Sequence, residues 1–318
     1  MHLDDGRAAS PPGPDPLDRA RAGLAGVVAI PVTPFTASGA VDWDRHGALL
    51  HRLVDGGVGA VTPNGNTGEF YTLEPAETRR ATENTVKEVG DRAVVIVGVG
   101  LDTASAVGAA VHARDCGAHM VMVHQPAHPY ISGEGWIEYH RTIADAVPEL
   151  GIVLYVRDSR IDGEQIARLG ELCPNVVGVK YAVADPVRFA SVAHDAGRER
   201  FVWLAGLAEL SAPGYFALGA SGFTSGLANV VPAASLELYR LLTAGDRRAT
   251  LEVWDLIRPF ERLRAADSAA DNVSVVKEAL AQLGVSPRDV RPPSRVLPEP
   301  VREQIAAILA SWSARWPM

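Results

Sequence analysis

Val176–Val177–Gly178–Val179–Lys180–Tyr181–Ala182 is the stretch on which the fold turns. It is short, apolar and β-branched, and it follows the turn signal Cys173–Pro174–Asn175, so it reads as a strand. Both faces stay apolar until its last residues, the pattern of a strand in a parallel sheet covered by helices on both sides. Lys180 then stands at the carboxyl end of a buried strand. Burial disfavours an ammonium and lowers its pKa, and a neutral amine is a nucleophile toward ketone and aldehyde carbons. A lysine in this place can also simply carry its charge to water along its own alkyl stem. The strand alone leaves both readings open.

Outward from this strand, strand and helix signals alternate eight times. The other strand-like runs are Val27–Pro34, Ala60–Pro63, Ala93–Val99, His119–His124, Ile152–Arg157, Phe201–Ala205 and Gly222–Leu227. A helical pattern follows each of the eight, beginning with Trp43–Asp55 and ending with Ala233–Ala244. Parallel strands need crossover connections, and each unit supplies one. The expected fold is therefore an α/β (β/α)8 barrel. An open doubly wound sheet would announce a Gly-rich nucleotide turn after its first strand, and Phe35–Thr36–Ala37–Ser38–Gly39 is no such turn. The expected division is a loose N-terminal arm over 1–22, rich in proline and charge, then a catalytic barrel over 23–245. A C-terminal helical appendage over 246–318 packs on it.

Composition narrows the function. The 318 residues carry a formal charge of −8, which argues against nucleic-acid or anionic-membrane partners. No apolar run reaches the roughly 20 residues that span a bilayer. The two cysteines, Cys116 and Cys173, form no metal or redox spacing, and such sparse usage fits a reducing, cytoplasmic compartment. His119, His124 and His128 gather near one strand end, but His119 and His124 have opposite parity and no carboxylate spacing completes a metal site. No metal and no cofactor are expected.

In such barrels the site lies at the carboxyl ends of the strands. Gly65–Asn66–Thr67–Gly68–Glu69 follows the second strand, and its backbone N–H groups with the Thr67 hydroxyl suit a carboxylate. Tyr155 ends the fifth strand, where a phenol can pass a proton. With Pro31–Val32–Thr33–Pro34–Phe35, Gly178–Val179–Lys180 and Gly222–Phe223–Thr224–Ser225–Gly226–Leu227–Ala228–Asn229, these residues form an ordered set. The chain resembles the dihydrodipicolinate synthase and N-acetylneuraminate lyase superfamily, the Schiff-base aldolases and dehydratases of 2-oxo acids. The resemblance implies that Lys180 forms the imine, that Tyr155 with Thr67 relays protons, and that Gly65, Asn66 and Thr67 hold the carboxylate beside the ketone. It also implies that Thr224 and Ser225 line the pocket, that Gly206 leaves room for substrate, and that the assembly is a homotetramer.

Departures from the family pattern bear on substrate. The tyrosine that crosses a dimer interface in dihydrodipicolinate synthase falls at His128, with Tyr130 two residues on. The asparagine after the strand-five tyrosine is Val156. The arginine for the second substrate's carboxylate falls at Arg160, while Arg157 faces a distal carboxylate of a longer sugar acid or pairs with Asp158. Gly65–Phe70 and Leu154–Asp158 look closer to 5-dehydro-4-deoxyglucarate dehydratase. The expected function is a lysine-imine lyase on a small-molecule 2-oxo acid, aldol-type or dehydratase. The alternatives are condensation of pyruvate with aspartate semialdehyde and a non-catalytic 2-oxo-acid-binding regulator.

Overall fold

The computed structural model describes residues 16–317. Eight parallel strands close on themselves in sequence order, the first pairing with the last. They are β1 Val27–Ala29, β2 Ala60–Val61, β3 Val94–Val99, β4 Met120–Val123, β5 Gly151–Val156, β6 Val176–Tyr181, β7 Val202–Ala205 and β8 Gly222–Ser225. A helix α1, Pro16–Leu24, precedes them. The crossover helices are α2 Trp43–Asp55, α3 Pro75–Val89, α4 Thr103–Cys116, α5 Gly133–Ala146, α6 Gly163–Leu172, α7 Pro186–Asp195, α8 Ala208–Phe216 and α9 Pro232–Thr243. Asp42, Asp102, Ser132, Asp162 and Asp185 each accept a backbone N–H three residues on. Each such cap stabilises a helix start by about 1 kcal/mol.

The strands separate two apolar cores. Alternate residues such as Val61, Val95, Val97, Val121 and Val123 meet the helices outside. Val28, Ala60, Ile96, Met120, Met122, Val153 and Leu204 fill the lumen. The amino end of the lumen is closed by α1, whose Leu17, Ala20 and Leu24 join that inner cluster. Gly178 makes this possible, because a Cβ there would stand 2.9 Å from Leu24 Cδ1. The expectation of a loose arm over 1–22 therefore fails for residues 16–22, and residues 1–15 lie outside the described residues. Leu17, Ala20 and Leu24 recur at helical spacing, and an open barrel end gives that short stripe something to cover. The prolines and charges masked the stripe in the sequence.

The aim of Lys180 depends on an irregularity in β6. Ile152 pairs with Val176 but Val153 pairs with Gly178, so Val177 is an extra residue in the register. Val176 belongs to the outer core, Val177 to the lumen, and Val179 again to the outer core. Strict alternation from Val176 would have turned residue 180 outward. The extra residue resets the parity, and Lys180 lies beside Tyr155 with both side chains in the lumen.

Beyond the barrel run α10 Arg247–Ala269, α11 Asn272–Gln282 and α12 Glu299–Trp312. Helix α10 packs on α8 and α9, and α11 reaches the turn that follows β2. Trp312 is buried against Phe260 and donates its indole N–H to Leu256 O at 3.0 Å. The C-terminal helices thus touch the face where the strands end.

Candidate active site

Lys180 is 4% exposed, and its Nζ stands 3.9 Å from the centroid of the Tyr155 ring. Among the described residues it has no ion-pair or hydrogen-bond partner. Burial, with a smaller push from Arg157, lowers its pKa to about 7. Roughly half of such lysines are neutral at pH 7, against fewer than about one in a thousand for an exposed one. Tyr155 is 5% exposed, and burial raises its phenol to about 12, so the phenol keeps its proton at neutral pH. Asn66 Nδ2 donates to Tyr155 Oη at 3.3 Å.

The loop after β2 sets Asn66 in place. Asn66–Gly68 forms a single 3-10 turn, with Thr67 buried inside it. Gly65 lies so close to β1 that a Cβ would stand 2.5 Å from Ile30 Cγ2. Glu69 closes the turn in the left-handed region, φ 60°. Its carboxylate accepts the Arg291 N–H at 3.0 Å and pairs with Lys277 of α11. Lys277 also donates to Asp289 O at 2.8 Å and lies over the Phe35 ring. Arg291 Cζ also lies over that ring, 4.3 Å from its centroid, and the guanidinium clamps Glu77 through both carboxylate oxygens. The tail of the chain therefore braces the turn that carries Asn66 and Thr67.

The remaining expected residues divide. Gly206 N–H donates to Tyr181 O at 2.7 Å and ties β7 to β6, while Thr224 Oγ1 approaches Gly206 O at 3.5 Å near the lumen. Ser225 does not line the pocket. Its hydroxyl donates to Glu209, meets Ser235 Oγ at 3.1 Å and accepts the Ala228 N–H at 2.8 Å. One residue on from Thr224, it takes the opposite face of β8 and joins a buried polar cluster between strand and helices. His128 is exposed and accepts the Tyr130 N–H at 3.1 Å, in a separate hollow of about 360 Å³ with Tyr130, Trp136 and Tyr139. It does not join Lys180 and Tyr155 within the chain. Arg160 is spent on Asp158, with Nε 3.0 Å from both carboxylate oxygens. Among the described residues, Arg157 has no such partner. It stands over the mouth, Cζ 6.0 Å from the Tyr155 ring centroid.

Above Tyr155 opens a cleft of about 520 Å³, lined by Tyr71, Gln125, Pro126, Tyr155 and Arg157 among others. Three residues of this region were not singled out in the sequence as site residues: Tyr71 and Gln125, which line the cleft, and His124, whose ring lies 5.9 Å from that of Tyr155. His124 ends β4 on the lumen face, stacked on Phe70 at 4.4 Å, with Nε2 2.8 Å from Asn64 O. Burial lowers its pKa to about 4, so it is a neutral imidazole, and Nδ1 is buried without a partner. The available signal was Gly98–Val99–Gly100 on the neighbouring strand, since side chains at Gly98 and Gly100 would both run into His124. Among the described residues, no group of three or more His, Cys, Asp or Glu could hold a metal ion.

A dehydrated primary amine facing a phenol that keeps its proton can add to a ketone and release water as the imine forms. A parallel barrel with this pair at its carboxyl end defines the class of lysine-imine lyases. Residues 23–312 match the dihydrodipicolinate synthetase family, and the chain belongs to it as a lyase. It is 36% identical over 290 residues to a 4-hydroxy-tetrahydrodipicolinate synthase of Phenylobacterium zucineum, covering 89% of this chain and 96% of that one. It is 30% identical over 298 residues to a probable 5-dehydro-4-deoxyglucarate dehydratase of Rhizobium rhizogenes, covering 92% and 96%. The crystal structure of dihydrodipicolinate synthase from Oceanobacillus iheyensis superposes with a TM-score of 0.90 at 33% identity, covering 95% of this chain and all of that one. Both kinds of enzyme name therefore occur among its relatives.

Proposed function

We propose that the protein is a dehydratase of a 2-oxo sugar acid and that Lys180 carries the substrate as an imine. The observation that carries this reading is the buried, unpaired Lys180 amine against the Tyr155 ring. The Nζ lone pair adds to C2, and the Tyr155 hydroxyl relays a proton to the departing oxygen, which leaves as water. Asn66 and Thr67 hold the C1 carboxylate in the turn after β2. The iminium acidifies C3. Loss of a C3 proton gives an enamine, whose electron pair expels the C4 hydroxyl as water once that oxygen is protonated. Where the chain ends in a carboxylate, the conjugated iminium then accepts the electron pair of the bond to it as carbon dioxide leaves. Protonation of the carbon skeleton and hydrolysis of the imine return the free amine.

The dehydratase reading is supported by the local resemblance of Gly65–Phe70 and Leu154–Asp158 and by the relatives of that name. The rival reaction, condensation with aspartate semialdehyde, would use Arg160 for the second carboxylate, and Asp158 already occupies it. In this reading the enzyme is cytoplasmic and a homotetramer, and no helix among the described residues is long and apolar enough to cross a membrane. Light scattering that gives a monomer at micromolar concentration counts against the assembly.

Borohydride trapping tests the central step. Pyruvate and borohydride should add one reduced pyruvyl group to the peptide that carries Lys180. A label on Lys87 or Lys277 instead, or none at all, ends the imine reading. A coupled assay separates the reactions: 5-dehydro-4-deoxyglucarate should be consumed faster than dihydrodipicolinate forms from pyruvate and aspartate semialdehyde.

A further inference from the structure

We infer that Arg157 and Gln125 form a specificity subsite that binds the far end of the substrate, a carboxylate about four bonds beyond the imine carbon with a hydroxyl beside it. The inference rests on the lysine-imine reading above and adds the class of acid the site selects.

Two arginines follow β5, and the structure treats them differently. Arg160 is neutralised in place by Asp158 and points along the surface. Arg157 has no ion-pair or hydrogen-bond partner among the described residues, yet it stands over the same aromatic ring as the reactive amine. A guanidinium offers a planar fork of donors that matches a carboxylate. The only carboxylate lining this cleft, Asp158, is already engaged. The cleft therefore carries one uncompensated positive charge at its mouth.

Gln125 lines the cleft at the end of β4, and both its amide oxygen and its amide nitrogen are buried without a partner. A buried amide left unpaired is costly. One hydroxyl, which both donates and accepts, can pair with either of its atoms. His124 Nδ1, one residue earlier, is likewise buried without a partner. Pyruvate has neither a far carboxylate nor a hydroxyl to offer them.

Geometry bounds the length. Nζ and Cζ lie 3.9 Å and 6.0 Å from one ring centroid, so they are separated by no more than the sum of those distances. Four carbon–carbon bonds of about 1.5 Å each, in a zigzag, span roughly 5 Å. The imine bond and a charge-assisted hydrogen bond of about 2.8 Å complete the reach. That reach covers the upper bound, so a six-carbon 2-oxo diacid with its C1 carboxylate on Asn66 and Thr67 can bring its C6 carboxylate to Arg157.

Borohydride trapping at Lys180 with matched six-carbon probes tests this. 2-Oxoadipate and 2-oxohexanoate differ only in ending in a carboxylate or a methyl. The wild-type enzyme should half-saturate at a concentration about 10- to 100-fold lower with 2-oxoadipate, the range of a charge-assisted pair. Arg157→Leu should abolish that preference, Arg157→Lys should keep part of it, and Arg160→Leu should leave it in place. Gln125→Leu should weaken a hydroxylated diacid more than 2-oxoadipate. No preference in the wild type, a preference that survives Arg157→Leu, or failure of both probes while pyruvate is trapped overturns the subsite and leaves the imine reading standing. Failure of pyruvate itself overturns both.

Discussion

Two buried lysines stand in different regions of this molecule, and their surroundings explain different behaviour. Lys180 lies in the barrel lumen with an aromatic ring for company and no counter-charge. Lys277 lies where α11 meets the loop after β2, paired with Glu69 and bonded to Asp289 O. Burial lowers both pKa values, to about 7 and about 8, but at Lys277 the Glu69 carboxylate works against the shift. Desolvation without a partner makes an amine available for chemistry. Desolvation with a partner makes a buried ion pair, whose disruption strands the remaining charge. On the proposed function, the same residue type serves reaction in one region and architecture in the other.

The largest expected effect would come from Lys180→Ala. Turnover should fall by about 10⁴-fold or more, with trapping abolished and the circular-dichroism spectrum unchanged. If Lys277→Ala removed the label equally, the contrast would collapse. Next is Tyr155→Phe, which deletes only the hydroxyl beside Asn66 Nδ2. A loss of about 10²–10⁴ in kcat is expected, with trapping slowed but present. A normal kcat would reduce Tyr155 to a cover for the amine.

Lys277→Met should act on stability instead. Leaving Glu69 buried and unpaired costs about 3–5 kcal/mol, read as a lower unfolding temperature. Adding Glu69→Gln should recover part of the loss, because it removes the stranded charge. A double variant no better than the single one would mean that Lys277 acts by packing alone.

The smallest effect concerns pH. Only neutral Lys180 attacks a ketone, so the trapping rate should rise as pH rises through about 7 and then level. Below that point it should fall about tenfold per unit, as the neutral fraction does. Arg157 is a cation that helps to lower this pKa, so Arg157→Leu should move the midpoint upward. A downward shift would place the guanidinium's influence elsewhere.

Much of this was legible in the chain, and for definable reasons. The eight-fold alternation is a local pattern, and its repetition leaves few topologies. Lys180, Tyr155 and Gly65–Glu69 each sit at a strand end that the pattern locates. What escaped depends on register or on distant partners. Val177 as an extra residue cannot be seen in a run that is apolar on both faces. Ser225 was misplaced because neighbouring strand residues face opposite ways, and nothing local says which faces inward. Arg160 and Arg157 look alike until Asp158 is seen to choose between them. Glu69 and Lys277 are remote in sequence, and His124 was weighed only as a metal ligand.

Helix α1 has a consequence for traffic. With Leu17, Ala20 and Leu24 seated in the amino end beside Val28, Ala60, Ile96 and Met120, the lumen below the amine is closed by a packed apolar wall. Such a wall offers water no polar partners. The amine is kept dry from below by this packing. On the proposed function, substrate entering, water released at imine formation and water needed for hydrolysis would all pass the cleft beside Arg157. Shortening the chain past Leu24 would expose the apolar base of this core to water, although no residue at the mouth had changed.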